Sequence, residues 1–217
     1  MAELTEPVGR LIQELSRLPG IGRKSAERLT YHILRLPKEN ALVLADAIRN
    51  VKENVRYCSA CYNLSEGELC AICRNPHRHH ETLCIVEQPR DLIAIEQTGR
   101  YDGVYHVLLG RLNPLDRDAT ADQLTIDALI ERVRCSRMKE RSADATAVEE
   151  VILATNPTVE GDGTALYISN RLAELESDPN LKPLRITRLA RGITTGSVLE
   201  FANSEILTDA LVGRQTF

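Results

Sequence analysis

The chain has 217 residues with 43% hydrophobic and 27% charged side chains, a balance that supports one large or several small packed domains and excludes disordered and fibrous architectures. No apolar run approaches the about 20 residues that span a bilayer, and the opening MAELTEPVGRLIQEL has neither a basic leader nor a small-residue cleavage site, so a cytoplasmic protein is expected. The formal net charge of −4 argues against a polyanionic partner, but residues 1–80 carry 12 Lys and Arg against 9 Asp and Glu, a balance of +3, whereas residues 81–217 carry 15 against 22, a balance of −7. Nucleic acid, if bound, therefore belongs at the front third, with contacts to the backbone, while the rest of the chain repels it. Trp is absent and aromatics are 4%, which disfavours single-strand binding on a platform of stacked rings.

Val8, Leu11, Ile12, Leu15 and Leu18 have the spacing of an amphipathic helix that stops at Pro19-Gly20. A second helix is expected from Ser25, with Ala26, Leu29, Ile33 and Leu34 on one face. A third is expected from Lys38 to about Val55 through Leu42, Ala45 and Ile48. Residues 1–56 thus read as an all-helical domain.

The turn Leu18-Pro19-Gly20-Ile21-Gly22 places two glycines between two helices, where positive φ is free and the next helix presents outward amides at its positive end. Arg23, Lys24 and Arg28 add charge, the last two one helical turn apart. A nucleotide-binding phosphate loop would need glycine immediately before the lysine and a strand before the turn, and neither is present. The turn resembles the helix-hairpin-helix motif, which holds nucleic-acid backbones without reading sequence; the alternative is a turn that serves only helix packing or dimerisation.

Residues 57–80 form a cysteine-rich module. Cys58 and Cys61, then Cys70 and Cys73, make two Cys-x-x-Cys pairs, and two such turns supply the tetrahedral set of sulfurs of a structural zinc site with no open position for hydrolytic water. One Zn²⁺ per chain is expected. Disulfides suit a reducing compartment poorly. His77, His79 and His80 read as an exposed polar turn, Cys84 as core, and Cys135 as an isolated thiol in a polar segment.

From residue 81 the period changes. Short branched runs at Leu83–Val86, Val104–Leu109, Val151–Ala154 and Leu184–Thr187 alternate with helical stretches at Asp91–Gln97, Ala121–Val133 and Thr164–Glu176, and a last helix is expected near Ser204–Val212. This is the pattern of an α/β domain with a mainly parallel sheet, assigned to residues 81–177. Residues 178–217 form a C-terminal strand and helix segment. Arg134–Ala147 reads as a mobile loop or frayed helix extension.

In parallel sheets, ligands sit at the carboxyl ends of strands. Glu87 follows the first strand, and Asn156, Thr158, Glu160, Gly161 and Asp162 follow a later one. The arrangement resembles the Toprim fold of topoisomerases and primases. In that fold one Glu and an Asp-x-Asp hold magnesium, followed by an acidic-Gly-acidic turn. Glu87 matches the first carboxylate and Glu160-Gly161-Asp162 the turn, but Asn156 and Thr158 fill the Asp-x-Asp positions, and magnesium chemistry relies on hard anionic oxygens. Strand cleavage is therefore not expected, and two readings stay open for the three acids, weak metal binding and contact with a partner.

The order of these parts, with LPGIGRKSAERL at 18–29, the four cysteines and ILATNPTVEG at 152–161, resembles the bacterial RecR family of recombination mediators. The segment Arg134–Ala147 is longer than the family's usual connection, and Gly192–Gly196 lacks its Pro-Val. The resemblance implies a non-enzymatic DNA-repair protein, acting with RecO and RecF to load RecA onto single strands coated by single-strand-binding protein. It implies a ring-like homotetramer built through the N-terminal helices and exchanged C-terminal segments. Gly20, Gly22, Arg23, Lys24 and Arg28 would face single- or double-stranded DNA, and Glu87, Glu160 and Asp162 a basic RecO surface. The competing classes are a magnesium-dependent Toprim enzyme and a protein scaffold without DNA contact.

Overall fold

The computed structural model describes residues 5–113, 124–137, 146–175 and 183–214, and the chain divides into two compact units, residues 1–55 and 56–217.

In the first unit, α1 (Glu6–Ser16), α2 (Arg23–Arg35) and α3 (Lys38–Asn54) follow in order. Pro7 sits in the first turn of α1, where its missing N–H costs nothing. Gly20, at φ +79°, turns the chain back. Gly22 is the N-cap, and α2 starts two residues earlier than its apolar spacing indicates. Ile12 of α1 and Ala26 and Thr30 of α2 are buried. Leu34, expected on the inner face, is 57% exposed. Helix α3 buries none of its residues and leaves Leu42, Val43, Leu44, Ile48 and Val51 half or more exposed.

The second unit opens with the antiparallel pair β1 (Arg56–Tyr57) and β2 (Leu64–Ser65), then the short α4 (Ala71–Arg74). A four-stranded sheet follows, built from β3 (His79–Val86), β4 (Gly103–Val107), β5 (Glu150–Leu153) and β6 (Arg185–Arg188) in the order β4-β3-β5-β6. Every pairing in it is parallel. Helices α5 (Pro89–Glu96), α6 (Ile126–Arg137) and α7 (Val159–Glu174) connect the strands, and α8 (Ser204–Val212) comes last. Strand β6, inside the segment assigned to residues 178–217, is the fourth strand of this sheet.

Strand β3 is central, and its alternation explains its continuous apolar run. Leu83 and Ile85 join the core under α6 and α7 with Leu129, Val133, Ile168 and Leu172. Cys84 and Val86 face the other way, toward Leu92 of α5 and toward Tyr62 and Ile72 of the cysteine-rich module. The module therefore covers part of the sheet's second face. Cys84 is 1% exposed, as expected of a core thiol.

Two local expectations are corrected and one open reading is decided. His79 and His80 begin β3 instead of forming a turn, since their strand pairs with β4 from His79 onward. Of the two readings left open for Arg134–Ala147, the helix extension holds for Arg134 to Arg137, which continue α6 as regular helix, with Val133 and Arg137 buried; residues 138–145 lie outside the described residues, and 146–149 form no regular element. Cys135 accordingly sits on α6, where its thiol donates to Glu131 at 2.9 Å. The acidic-Gly-acidic segment is not a turn but the first turn of α7, because the Thr158 hydroxyl accepts from the Gly161 amide and starts the helix there.

Candidate metal centre and acidic crevice

Cys58, Cys61, Cys70 and Cys73 place their sulfurs within 4.8 Å of one another, and among the described residues they are the one group of three or more such ligands brought together. Zinc–sulfur bonds of about 2.3 Å in a tetrahedron require sulfurs about 3.8 Å apart, and Cys61 and Cys70 stand at 3.5 Å. Backbone bonds build the cage: the Cys58 amide donates to Asn63 O at 2.7 Å, the Tyr62 amide to Cys58 O at 2.9 Å and the Arg74 amide to Cys70 O at 3.0 Å. Burial pushes the Cys58 thiol up, but amides of Cys70, Ala60 and Cys61 outweigh it and hold it at about 7. Hydrogen bonding with Cys73, then burial, pushes the Cys61 thiol up. Crowded sulfurs of opposed tendency need a cation to become thiolates together, which is what zinc supplies. The donor set fits one structural zinc, held by Cys58, Cys61, Cys70 and Cys73.

Parallel pairing puts the carboxyl ends of β3, β4, β5 and β6 at one edge of the sheet, and the sequence-selected acids gather there. Glu87 is 2% exposed. Its Oε1 accepts from the Asn156 amide and its Oε2 from the Asn156 side-chain amide, each at 2.8 Å. Arg111, beyond β4, stands 3.8 Å from Oε2. A Cβ at position 161 would come within 2.1 Å of Asn156 O and 2.8 Å of Glu87 Oε1, so only glycine lets α7 start this close. Glu160 is held below the usual carboxylate range by its own backbone amide and the Thr158 hydroxyl. Asp162 forms ion pairs with Arg188 and Arg191; Arg191 also reaches Asp209 of α8 at 4.0 Å. Glu87 and Asp162 are thus each engaged within the chain.

Arg111 and Arg188 carry no motif in the sequence, and Arg191 stands out there only within the C-terminal segment Ala190-Arg191-Gly192. Glu87 and Asp162, the acids these arginines meet, lie 24 to 29 residues away in the chain. The spacing of Arg188 and Arg191 straight after a strand is the one further signal.

In the first unit, Gly22 caps α2 without a side-chain bond to the helix amides. Arg23 pairs with Glu27 at 3.3 Å. Lys24 and Arg28 are exposed, and no ion pair involves either among the described residues. The structure brings these cations together beside the glycine turn.

A parallel sheet with an acidic carboxyl edge, joined to a four-sulfur metal site and a glycine-turned helix pair, defines a modular Toprim-fold protein. Residues 81–187 match the Toprim domain, residues 8–52 the RecR helix-hairpin-helix and residues 55–75 the four-cysteine zinc finger domain of RecR. The chain is 59% identical over 208 residues to Recombination protein RecR of Rhodopirellula baltica, covering 96% of each. It is 47% identical over 212 residues to that of a Roseiflexus species, covering 98% of this chain and 95% of the relative. Over 215 residues it is 46% identical to that of Rubrobacter xylanophilus, covering 99% of each. The chain belongs to the RecR family of recombination proteins. Among the described residues no helix is long and apolar enough to cross a membrane.

Proposed function

We propose that this chain is a non-enzymatic recombination mediator that binds the DNA backbone and acts with RecO and RecF to load RecA onto single strands covered by single-strand-binding protein, in the cytoplasm. The observation that carries DNA binding is the uncapped start of α2 beside Gly20, with Lys24 and Arg28 exposed on it. Phosphate oxygens complement free helix amides and unpaired cations. Arg23, Gly20 and Gly22 belong to the same surface.

A non-catalytic role is supported by the crevice. Magnesium catalysis needs several free carboxylates. Here Asn156 occupies Glu87, and two arginines occupy Asp162. Glu160 and Asp162 instead form the acidic surface for basic RecO, with Asp162 exchanging its own arginines for those of the partner; Glu87, expected in that surface, is 2% exposed and held by Asn156, and so supports the crevice from within. The assembly is a homotetramer, with residues 178–217 used in oligomerisation; the apolar residues exposed on α3 and on the C-terminal segment, among them Ile48, Phe201 and Val212, support an oligomer.

The test is binding of fluorescent single- and double-stranded DNA to the intact chain and to the double variant Lys24→Ala, Arg28→Ala. Strong loss in the variant is expected. Equal binding by both would leave a scaffold without DNA contact at this surface. Incubation with supercoiled DNA and magnesium tests the enzymatic alternative, and nicking that disappears in Glu87→Ala would establish it.

A further inference from the structure

Among the described residues, Tyr62 and Leu109 are the two that carry a side chain at positive φ, 61° and 64°, and both border one junction. The Val107 amide, at the end of β4, donates to the carbonyl of Cys61 at 2.8 Å. Strand β4 is an edge of the sheet, and a zinc-ligating residue thus supplies its outer acceptor. Tyr62 and Leu109 pack against the same cluster of Cys84, Val86, Tyr105 and Val107. The Tyr62 ring lies 5.3 Å from that of His106, tilted by 57°.

Left-handed backbone at side-chain-bearing residues persists only where the surroundings over-determine it. On the module side, the surroundings are the metal cage, since the Tyr62 amide is bonded to Cys58 O. On the sheet side, the chain runs from Val107 through Leu109 to Arg111, whose guanidinium stands beside Glu87. One covalent path and one hydrogen bond therefore connect the zinc ligands to the crevice.

We propose that zinc loading controls the order of residues 107–111, so that the metal positions Arg111 in the crevice as well as holding its own module together. Without zinc, the Cys58–Tyr62 turn relaxes, the Cys61 carbonyl leaves Val107, and Leu109 loses the neighbours that keep it left-handed. This inference does not depend on which partner uses the crevice.

Amide hydrogen exchange on the intact chain, read by mass spectrometry with zinc bound and after chelation, tests it. Faster exchange is expected in residues 56–75 and 104–111, with 159–174 and 6–54 unchanged; acceleration that stops at residue 75 overturns the proposal. If chelation loosens the whole second unit, Tyr62→Ala and Tyr62→Phe decide the matter, with zinc content checked at one per chain. The alanine variant should speed exchange at Val107 by roughly five- to tenfold, because the turn that aims the Cys61 carbonyl at Val107 loses the ring packed on His106, while the phenylalanine variant keeps that ring and behaves as the parent. Unchanged exchange at Val107 in zinc-loaded Tyr62→Ala overturns the coupling.

Discussion

Asn156 holds Glu87 from two sides, its backbone amide on one carboxylate oxygen and its side-chain amide on the other, both at 2.8 Å. A residue that would be a carboxylate in a magnesium-dependent site here neutralises the need for a metal by donating hydrogen bonds to the buried acid.

Restoring a carboxylate should therefore be harmful without a cation. Asn156→Asp replaces a donor with a like charge against a buried acid, at a cost of about 1–3 kcal/mol. Thermal melts should show a lower Tm in chelator and partial recovery in millimolar magnesium. An unchanged Tm in both would mean that Asn156 does not hold Glu87.

His106 sets a pH dependence. It is 1% exposed, and burial followed by repulsion from Arg132 holds its imidazole down to about 3. Its Nε2 bonds Thr125, at 3.0 Å, and its Nδ1 has no partner. The unfolded chain binds a proton below the ordinary histidine value while the folded chain does not, so stability is full above about pH 6.5 and is lost as pH falls toward 3. Between pH 6.5 and 5 the loss should be about 2 kcal/mol from this group. Urea midpoints for the parent should fall over that interval and those of His106→Phe should fall less; parallel curves would assign the acid sensitivity elsewhere.

Asp162 joins α7 to Arg188 and Arg191, and Arg191 reaches α8. Asp162→Asn removes the shared anion. Because these side chains are partly exposed, the global effect should be small, about 0.5–1 kcal/mol, and the local one larger. Limited proteolysis should cut faster within residues 189–203, where Leu189, Val198 and Leu199 are exposed. The same cleavage rate in parent and variant would show that the arginines do not secure this segment.

DNA binding through Lys24 and Arg28 carries a salt signature. Each phosphate contact contributes about 0.9 to the slope of log K against log salt on duplex DNA, so the double alanine variant should lower that slope by about 2 per contacting chain. Titrations at several salt concentrations check this. A weaker affinity with an unchanged slope would point to lost folding instead of lost contacts.

Cys61→Ser removes one of four sulfurs, and zinc content should fall below one per chain with loosening of the module, since structural sites supply their folding energy through the metal. Metal analysis beside a thermal melt gives the answer, and full zinc retention would exclude Cys61 as a ligand.

The parts whose physics is local were legible in the residues alone. Two Cys-x-x-Cys turns define a zinc cage whatever surrounds them. The glycines after Leu18 end one helix and start another, and the branched runs at Leu83, Val104, Val151 and Leu184 specify strands because a strand buried on both faces must be apolar throughout. The absent carboxylates at Asn156 and Thr158 were equally legible. The folded chain set what those parts meet. It turned the acidic segment after Thr158 into a helix start, since a hydroxyl cap competes with a turn only once α7 has a core to pack on. It gave Asp162 two arginines and Glu87 an asparagine, pairings made by the convergence of strand ends, 26 to 69 residues apart in the chain. It also laid the cysteine module on the sheet through Cys61 and Val107, a bond that no spacing encodes because its two partners share no element. Charge follows the same division: the −4 of the chain and its uneven distribution are fixed by composition, while pairing in the folded chain left Lys24 and Arg28 exposed and engaged Glu87 and Asp162.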